Sequence, residues 1–513
     1  MTWVKLDDLG QGLNKDALAE ELDITHFSDS LNVRFRDGFA ERFKGMVAAY
    51  TTPPVIPYCI TAMTVGTSRY VVYEGLQKTY VDDGTTQTNI TNANNTGAVD
   101  DRFSASVFNG IYIKNNGVDV PQYWAGVPAT PLANLTAWPA GYKAGFMRPY
   151  KNYLIAGDIT KAGTRYRGLI LTSHLADPGT IPTSWDSADP TKDVVEQPLD
   201  DTNGTLIDSL PLGDMNVIYK DDALHYMQTV QSRSIFRFGR LPGDTGLLAR
   251  GCVVNVPGVG HVYLTPGFDV VYHNGQGPQP IIQGKMRTWL KNNINATYGN
   301  RSFLVLSPQK MEVLVCFPSN SSQVCDMALI WNYKDNTLYI RALSSVTYGC
   351  TGQITLTSGS DVWSGQTDTW ATISRTWAYT DYAPNSPRVI LSRSTPTLAL
   401  FDATETDYGT SFNAYVERTG LHFDNPEMVK LIRRLRIRVD AAAGTQLSVS
   451  VGGAMVPGAA PAYSMPATFT AGTDVEVTIF ALGRFLAWKV QTTGNTPWRI
   501  RSCEIDVMEQ GGY

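Results

Sequence analysis

The sequence RYVVYEG at residues 69–75 decides the fold, because its design recurs along the chain. It is an aromatic-rich apolar run of strand length that ends at a turn residue, which is typical of a β-strand. Five later runs share this design: GIYIKNNG at 110–117, NYLIAGD at 152–158, DALHYMQT at 222–229, HVYLTPG at 261–267 and MEVLVCFP at 311–318. Successive starts lie 41, 42, 70, 39 and 50 residues apart.

A turn and a second strand-like stretch follow each run, so the repeating unit is a strand pair with a period of about 40 residues. This period predicts the blades of a β-propeller, in which small sheets stack around an axis and bury one another's faces. We therefore predict an all-β fold with a propeller-like body of about six blades over residues 51–345. An insertion at 174–209 is typical of an exposed arm or long loop. A β-sandwich or several small β domains remain the alternative.

The C-terminal residues 425–513 follow a different pattern. LIRRLRIRV at 431–439 alternates apolar residues with arginines, except at Ile432 and Arg433, which predicts a strand with one apolar and one basic face. We expect an antiparallel β-sandwich, or platform, here. Residues 346–424 are predicted to complete the propeller or the platform. Residues 1–50 are predicted to pack on the C-terminal domain or on a neighbouring subunit, and helical signals are confined to 14–22 and 285–293.

The composition narrows the functional classes. The chain has 513 residues, is 43% hydrophobic and carries a net charge of −5. That acidic balance argues against a nucleic-acid grip built on a basic face. We expect no signal peptide and no transmembrane helix, and hence synthesis in a cytoplasm. The six scattered cysteines are predicted to be buried thiols.

No catalytic signature stands out in the sequence. The six histidines form no H-E-x-x-H or other metal-like cluster, and neither a P-loop nor a G-x-S-x-G elbow is present. Glycosidases need two opposed carboxylates, but the S-x-D-x-G-x-x-W repeats of sialidase blades are missing. We therefore predict that the chain is not an enzyme and has no catalytic, metal or cofactor-binding residues.

Arginines on two predicted strands are the candidate subunit contacts. Arg34 and Arg36 would share one face of a strand near the N-terminus, and Arg434, Arg436 and Arg438 form the basic face of the later strand. A solvated face is the alternative for the first pair, and a nucleic-acid face is the alternative for the second set. Because the chain as a whole is acidic, we favour subunit contact for the second set, and both alternatives remain open for the first pair. Most tryptophans suit blade cores, although three could lie at interfaces: Trp124, Trp185 and Trp370.

Segments near both ends resemble one known family. GLNKD at 12–16, SLNVRFRDG at 30–38 and ERFKG at 41–45 resemble the opening of tail proteins of short-tailed phages. GRFLAWKV at 483–490 and PWRIRSCEIDV at 497–507 are similar to the end of the same group. The family is the tail nozzle, or packaged-DNA stabilisation protein, of podophages (podoviruses).

This resemblance implies a structural virion protein with a propeller and a platform domain. It implies a homo-hexamer below the portal and the tail adaptor, assembled in the host cytoplasm and located in the virion tail. The hexamer would anchor tail fibres or spikes, contact a possible tail needle or tip protein, and close the DNA exit channel. Genomic DNA would pass through the lumen without sequence-specific binding. A carbohydrate-binding or carbohydrate-cleaving propeller of a phage tail is the alternative, and a propeller scaffold in a cellular complex is a third hypothesis.

Overall fold

The computed structural model describes residues 2–230, 234–353, 387–492 and 494–512. Their regular structure is β-sheet apart from one helix, α1 (Arg287–Asn293), and one 3-10 turn at Gly299–Arg301. Within these ranges, no helix is both long and apolar enough to cross a bilayer. The predicted all-β, propeller-like class is confirmed.

Five short strands come first along the chain, and they are divided between two domains. They are β1 (Thr2–Leu6), β2 (Asp29–Leu31), β3 (Val33–Arg36), β4 (Phe39–Arg42) and β5 (Gly45–Ala48). The first four join the sheets formed by the C-terminal residues, whereas β5 joins the propeller.

Five consecutive four-stranded antiparallel sheets follow, and we call them blades 1 to 5. Blade 1 contains β6 (Cys59–Val65), β7 (Ser68–Glu74), β8 (Thr79–Asp82) and β9 (Gln87–Asn89). Blade 2 contains β10 (Ser104–Phe108), β11 (Ile111–Asn115), β12 (Gln122–Trp124) and β13 (Ala133–Asn134). Blade 3 contains β14 (Tyr142–Tyr150), β15 (Tyr153–Lys161), β16 (Thr164–Thr172) and β17 (Glu196–Pro198). Blade 4 contains β18 (Leu206–Leu212), β19 (Met215–Lys220), β20 (Leu224–Thr229) and β21 (Phe236–Arg240). Blade 5 contains β22 (Val253–Val256), β23 (Gly260–Leu264), β24 (Val270–His273) and β25 (Gln279–Pro280).

The next sheet has seven strands and comprises two blades joined by one long strand. Its strands are β26 (Phe303–Ser307), β27 (Glu312–Phe317), β28 (Cys325–Asn332), β29 (Thr337–Gly352), β30 (Arg388–Arg393), β31 (Leu398–Thr404) and, last, β5. Residues 337–342 of β29 pair with β28 and complete blade 6, whereas residues 346–352 pair with β30 and begin blade 7. The strand changes partner around Ser345, whose φ is +56°.

The inner strands close a ring of seven blades. Each of β6, β10, β14, β18, β22 and β26 packs on the next, and the second half of β29 packs on both β26 and β6. The sequence predicted about six blades and the structure has seven. Blade 7 was missed because its inner strand continues the outer strand of blade 6 without a turn signal, and its outer strand is β5. Residues 346–424 are accordingly divided: of the described residues, 346–352 and 388–404 belong to the propeller, and the next strand belongs to the other domain.

The remaining strands form a sandwich of two six-stranded sheets. They are β32 (Ala414–Leu421), β33 (Met428–Ala441), β34 (Gln446–Ala454), β35 (Ala462–Tyr463), β36 (Ala467–Thr470), β37 (Val477–Gly483), β38 (Phe485–Thr492) and β39 (Trp498–Gly512). The first sheet has the order β3-β4-β39-β33-β37, with β1 also on β39; the second has the order β2-β32-β38-β34-β35, with β36 also on β34. Leu435 and Ile437 of β33 are buried as predicted, and a register shift between Ile432 and Arg434 accounts for the broken alternation.

The N-terminal segment packs between the two domains. Phe27 stacks on Phe35, with ring centroids 5.0 Å apart, and lies edge-on to Trp488 of the sandwich at 5.6 Å. Phe35 and Phe43 in turn contact Tyr339 of blade 6, at 6.3 and 5.7 Å. These rings belong to one hydrophobic cluster that includes residues of both domains. The segment therefore connects propeller and sandwich through a shared core.

Two local expectations were wrong. Residues 14–22 form bends and turns instead of a helix, and the backbone N–H groups of Lys15 and Asp16 donate to the carbonyl of Lys285, at 2.8 and 3.0 Å. Contacts with a distant part of the chain thus override the local helix propensity. The insertion at 174–209 is not an exposed arm, although residues 174–195 do form a long loop, which was the other expected form. It contains β17 of blade 3, and its Trp185 is buried edge-on against Trp138, between blades 2 and 3, at 4.8 Å.

Candidate assembly surfaces

The three predicted arginines of β33 face acidic side chains of their own sheet. Arg434 contacts Glu476 and Asp506 at 3.1 Å each, and Arg436 contacts Glu476 at 3.0 Å. Arg438 lies 3.5 Å from Glu504, and its side chain is 69% exposed. The hydrogen bond from Arg436 lowers the pKa of Glu476, so this carboxylate stays ionised at neutral pH. With Arg433 included, four arginines face three acids, so this surface has little net charge.

Trp3 supports the same row of arginines. The guanidinium groups of Arg436 and Arg434 lie 4.1 and 5.2 Å from the centroid of its ring, within cation–π range. The sequence analysis missed both the tryptophan and the acids. The alternating Glu504-Ile505-Asp506 of β39 was the available signal, because alternate residues of a strand share a face.

Arg34 cannot serve as a surface contact, and that prediction was wrong. Its side chain is 3% exposed and contacts Glu312, Asp402 (3.0 Å) and Glu41 (3.5 Å). Burial opposes its charge, but these carboxylates outweigh burial and raise the pKa of Arg34 well above its ordinary value. Arg36 does share the face of Arg34. It lies at the edge of the cluster, 24% exposed and 2.7 Å from Glu41.

The axis of the propeller is closed by charged side chains. Arg102, before the inner strand of blade 2, donates to the backbone carbonyl of Arg301 in blade 6 at 2.9 Å, which crosses the ring. Arg148 of blade 3 binds Asp208 of blade 4 through two hydrogen bonds of 2.6 and 2.8 Å. Arg250, before blade 5, donates to a main-chain carbonyl of blade 3, and burial lowers its pKa to about 10. In the part of the chain that the structure describes, these contacts connect blades across and around the axis at this end of the propeller.

Large apolar side chains are exposed on the sandwich. Met465 is 89% exposed, Val475 75%, Phe480 59% and Leu482 50%. Phe480 and Leu482 lie on β37, which is an edge strand of its sheet. Exposed and buried residues alternate along this strand. Exposed apolar side chains grouped on an edge strand mark a contact surface or an aggregation hazard. The sequence analysis did not detect that the exposed face of this stretch is apolar.

Histidines and cysteines pack as structural residues. His261 and His273 face each other on β23 and β24, and Tyr219 lies between them. The Tyr219 hydroxyl oxygen is 2.7 Å from a ring nitrogen of His261 and 2.9 Å from a ring nitrogen of His273. Burial lowers the pKa of both histidines to about 4, so both are neutral at pH 7. All six cysteines are free, and five of them are buried. No group of three or more potential metal ligands occurs in the part of the chain that the structure describes.

Of the three tryptophans considered for interfaces, the structure describes two, and both are buried. Trp124 and Trp185 are 1% and 2% exposed, so they belong to the blade cores and the interface expectation for them was wrong. Trp370 lies outside the described residues.

Comparison with known proteins finds matches among solved structures. No family model matches the sequence, and no curated protein matches it either. Solved structures that match include the WD40 β-propeller domain of Doa1, with 9% identity, a TM-score of 0.39, and coverage of 72% of this chain and 100% of that one. Another is PorZ, a surface component of the type-IX secretion system of Porphyromonas gingivalis, with 9% identity and a TM-score of 0.32. That match covers 74% of this chain and 44% of PorZ.

Proposed function

We propose that this chain is the subunit of a hexameric tail nozzle of a short-tailed phage. In this role it closes the DNA exit below the portal and adaptor, anchors fibres or spikes, and conducts the genome during ejection. The observation that carries the proposal is the exposure of large apolar side chains on the sandwich, namely Met465, Val475, Phe480 and Leu482. A structural subunit that builds a ring must present such a surface to its neighbour.

The segments that resemble the nozzle family support this proposal by their position. The resembling stretches at 30–38 and 497–507 include β2, β3 and most of β39, which all belong to the sandwich. Glu41 of β4 pairs with Arg499 of β39, both in the strand register and through a 2.7 Å ion pair. These two stretches thus fall on one domain, the sandwich, although they lie more than 450 residues apart in the sequence.

The closed propeller axis adds a constraint to this function. Because Arg102, Arg148 and Arg250 cross or fill the axis, DNA would pass between the subunits of the ring and not through any one propeller. A ring of six would carry about −30 charges at pH 7, which disfavours adhesion of a polyanion to its lumen.

Native mass spectrometry and negative-stain microscopy of the purified chain test the proposal. We expect rings of six, and we expect the double variant Phe480→Asp with Leu482→Asp to be monomeric. Thr130→Asp, on an exposed residue of blade 2 in the propeller, is the control and should leave the ring intact. A wild-type chain that stays monomeric up to high micromolar concentration would refute the proposal.

A further inference from the structure

A β-hairpin of blade 3 exposes one of its two strands. It consists of the ends of β15 and β16, joined by Ala162 and Gly163, which both have positive φ. The first four residues of β16, Thr164 to Arg167, are all exposed, because β17 pairs only with residues 169–171. Successive residues of a strand point to opposite faces, so this part of β16 is uncovered on both faces, whereas β14, which carries Lys143, pairs with β15 as far as Lys161.

The tip of this hairpin is basic and aromatic. Tyr166 is 47% exposed, with the Lys161 ammonium 5.7 Å from its ring centroid. Lys161 contacts Glu196, and Arg165 contacts Asp158 at 2.6 Å. Two further cations, Lys143 and Arg167, are exposed and have no acidic partner among the described residues. Four cations thus face two acids, leaving an excess of two positive charges.

The sandwich carries a cleft of about 740 Å³ with the opposite character. Its walls include the apolar side chains of Leu22, Ile24, Phe423 and Met508. Four acids also line it: Glu20, Asp23, Asp424 and Glu509. The last three of these are exposed, so their charges face solvent.

The two cations that line the cleft are buried, so they do not neutralise the exposed acids at its surface. Arg418 is 2% exposed and donates to the backbone carbonyls of Ala19 and Leu22 at 2.7 and 2.8 Å. Lys430 is 1% exposed and donates to the carbonyl of Met428 at 3.0 Å. Counting both cations, the cleft keeps an excess of two negative charges, which equals the positive excess of the hairpin.

We propose that the blade 3 hairpin of one copy of this chain docks in the sandwich cleft of a neighbouring copy. The occupant is a second copy because the hairpin and the cleft carry opposite charges of equal size, and Tyr166 offers an aromatic anchor for the apolar walls. A contact between two different surfaces of identical chains is heterologous, and it closes into a ring when the rotation between subunits allows. This inference rests on the proposed ring assembly and adds a second subunit contact to the apolar side chains of the sandwich.

Charge reversal on each side tests the contact in the full-length chain. Lys143→Glu with Arg167→Glu should weaken subunit association about 100-fold, measured by native mass spectrometry across a dilution series, because like charges would meet. Asp424→Arg with Glu509→Arg should weaken it similarly. A chain that carries all four changes should assemble again. Arg237→Glu with Lys291→Glu, on exposed residues elsewhere, is the matched control and should assemble as the wild type does.

Cysteine cross-linking locates the contact directly. In Tyr166→Cys with Met508→Cys, mild oxidation should produce chains linked into dimers and higher species, whereas each single variant should produce none. If oxidation of the double variant produces no linked chains, the hairpin does not dock in the cleft.

The outcomes separate this inference from the proposed function. Rings that survive both charge reversals overturn the docking contact and leave the nozzle proposal standing. A wild-type monomer overturns both. If the hairpin reversal leaves rings intact but abolishes the retardation of duplex DNA in a gel, the hairpin faces nucleic acid and the docking contact is overturned.

Discussion

Arg34 is the residue on which the junction between propeller and sandwich depends electrostatically. Its guanidinium is enclosed with Glu312, Asp402 and Glu41, and Tyr339 donates to Glu312 at 2.6 Å. A buried ion pair adds modest net stability, but removing one partner leaves the other charge buried and unpaired.

The substitution Arg34→Leu should therefore lower the free energy of unfolding by about 3–5 kcal/mol. Arg438→Leu is the control, because its ion pair is exposed and should be worth about 0–1 kcal/mol. Urea denaturation followed by tryptophan fluorescence measures both. Equal losses for the two variants would show that Arg34 contributes no more than a surface pair.

The hydrogen bonds around Tyr219 fix the protonation of two histidines. His261 donates from Nε2 to the carbonyl of Pro211 at 3.0 Å, so its Nδ1 accepts from the Tyr219 hydroxyl. His273 donates from Nε2 to the Tyr219 oxygen, and its Nδ1 accepts from the backbone N–H of Gly275 at 3.3 Å. A proton added to either Nδ1 would face a donor, so the chain of hydrogen bonds requires both rings to be neutral.

Acid should therefore destabilise the protein through these histidines. Burial lowers the folded-state pKa of each from 6.5 to about 4, so the unfolded chain binds protons more readily between those values. The two neutral histidines contribute fully to the free energy of unfolding above pH 6.5. This contribution is lost as the pH falls towards 4, by roughly 2 kcal/mol per histidine at pH 5. Urea denaturation at pH 7 and pH 5 measures the loss, which should be smaller in His273→Gln. An equal loss in that variant would contradict the assignment.

For Arg34 and Arg36, the sequence could predict which face of the strand they share but not whether that face is buried. Arg34 and Arg36 alternate with apolar residues, so their shared face follows from the period of a strand. Which face is covered depends on Glu312 and Tyr339, roughly 300 residues further along the chain. A local pattern contains no information about such distant partners.

At the scale of elements, β5 closes the propeller as the outer strand of blade 7. Its residues pair with β31, and Gly45 lies opposite Thr404. A Cβ atom at Gly45 would lie 2.2 Å from the carbonyl oxygen of Thr406, so the strand fits only if this position has no side chain.

Gly45→Ala should accordingly lower the free energy of unfolding by about 1–3 kcal/mol, because the backbone must shift to admit the methyl group. Gly277→Ala is the matched control, since no atom lies within 4 Å of its hypothetical Cβ and its φ is not left-handed. Thermal unfolding followed by circular dichroism compares the two. A melting point for Gly45→Ala equal to that of the control would show that β5 tolerates displacement.

The repeated runs were correctly predicted as strands, but one was assigned to the wrong place in its blade. Five of the six correspond to second strands, namely β7, β11, β15, β23 and β27, whereas the run at 222–229 is the third strand of blade 4. The second strand there is β19, which is buried along most of its length. Apolar alternation cannot distinguish neighbouring strands of one sheet, because both face the same adjacent blades.

At the scale of the molecule, propeller and sandwich share one hydrophobic cluster through the N-terminal segment. Neither domain holds all of its own strands without that segment, which supplies β1 to β4 to one and β5 to the other. We therefore expect differential scanning calorimetry of the monomeric variant to show a single unfolding transition. Arg34→Leu, introduced into that variant, should shift the whole peak. Two separated peaks would mean that the domains unfold independently.

The pairing of β1 with β39 also determines when this protein can finish folding. Leu6 pairs with Cys503, so the first strand meets its partner only after about 500 further residues have been translated. At about 5–20 residues per second, the ribosome needs roughly 25–100 s for that stretch. Until then, the N-terminal strands emerge with unpaired edges, the kind of surface that aggregates in nascent chains. Expression together with a holding chaperone should therefore raise the yield of folded chain more than any change in refolding conditions.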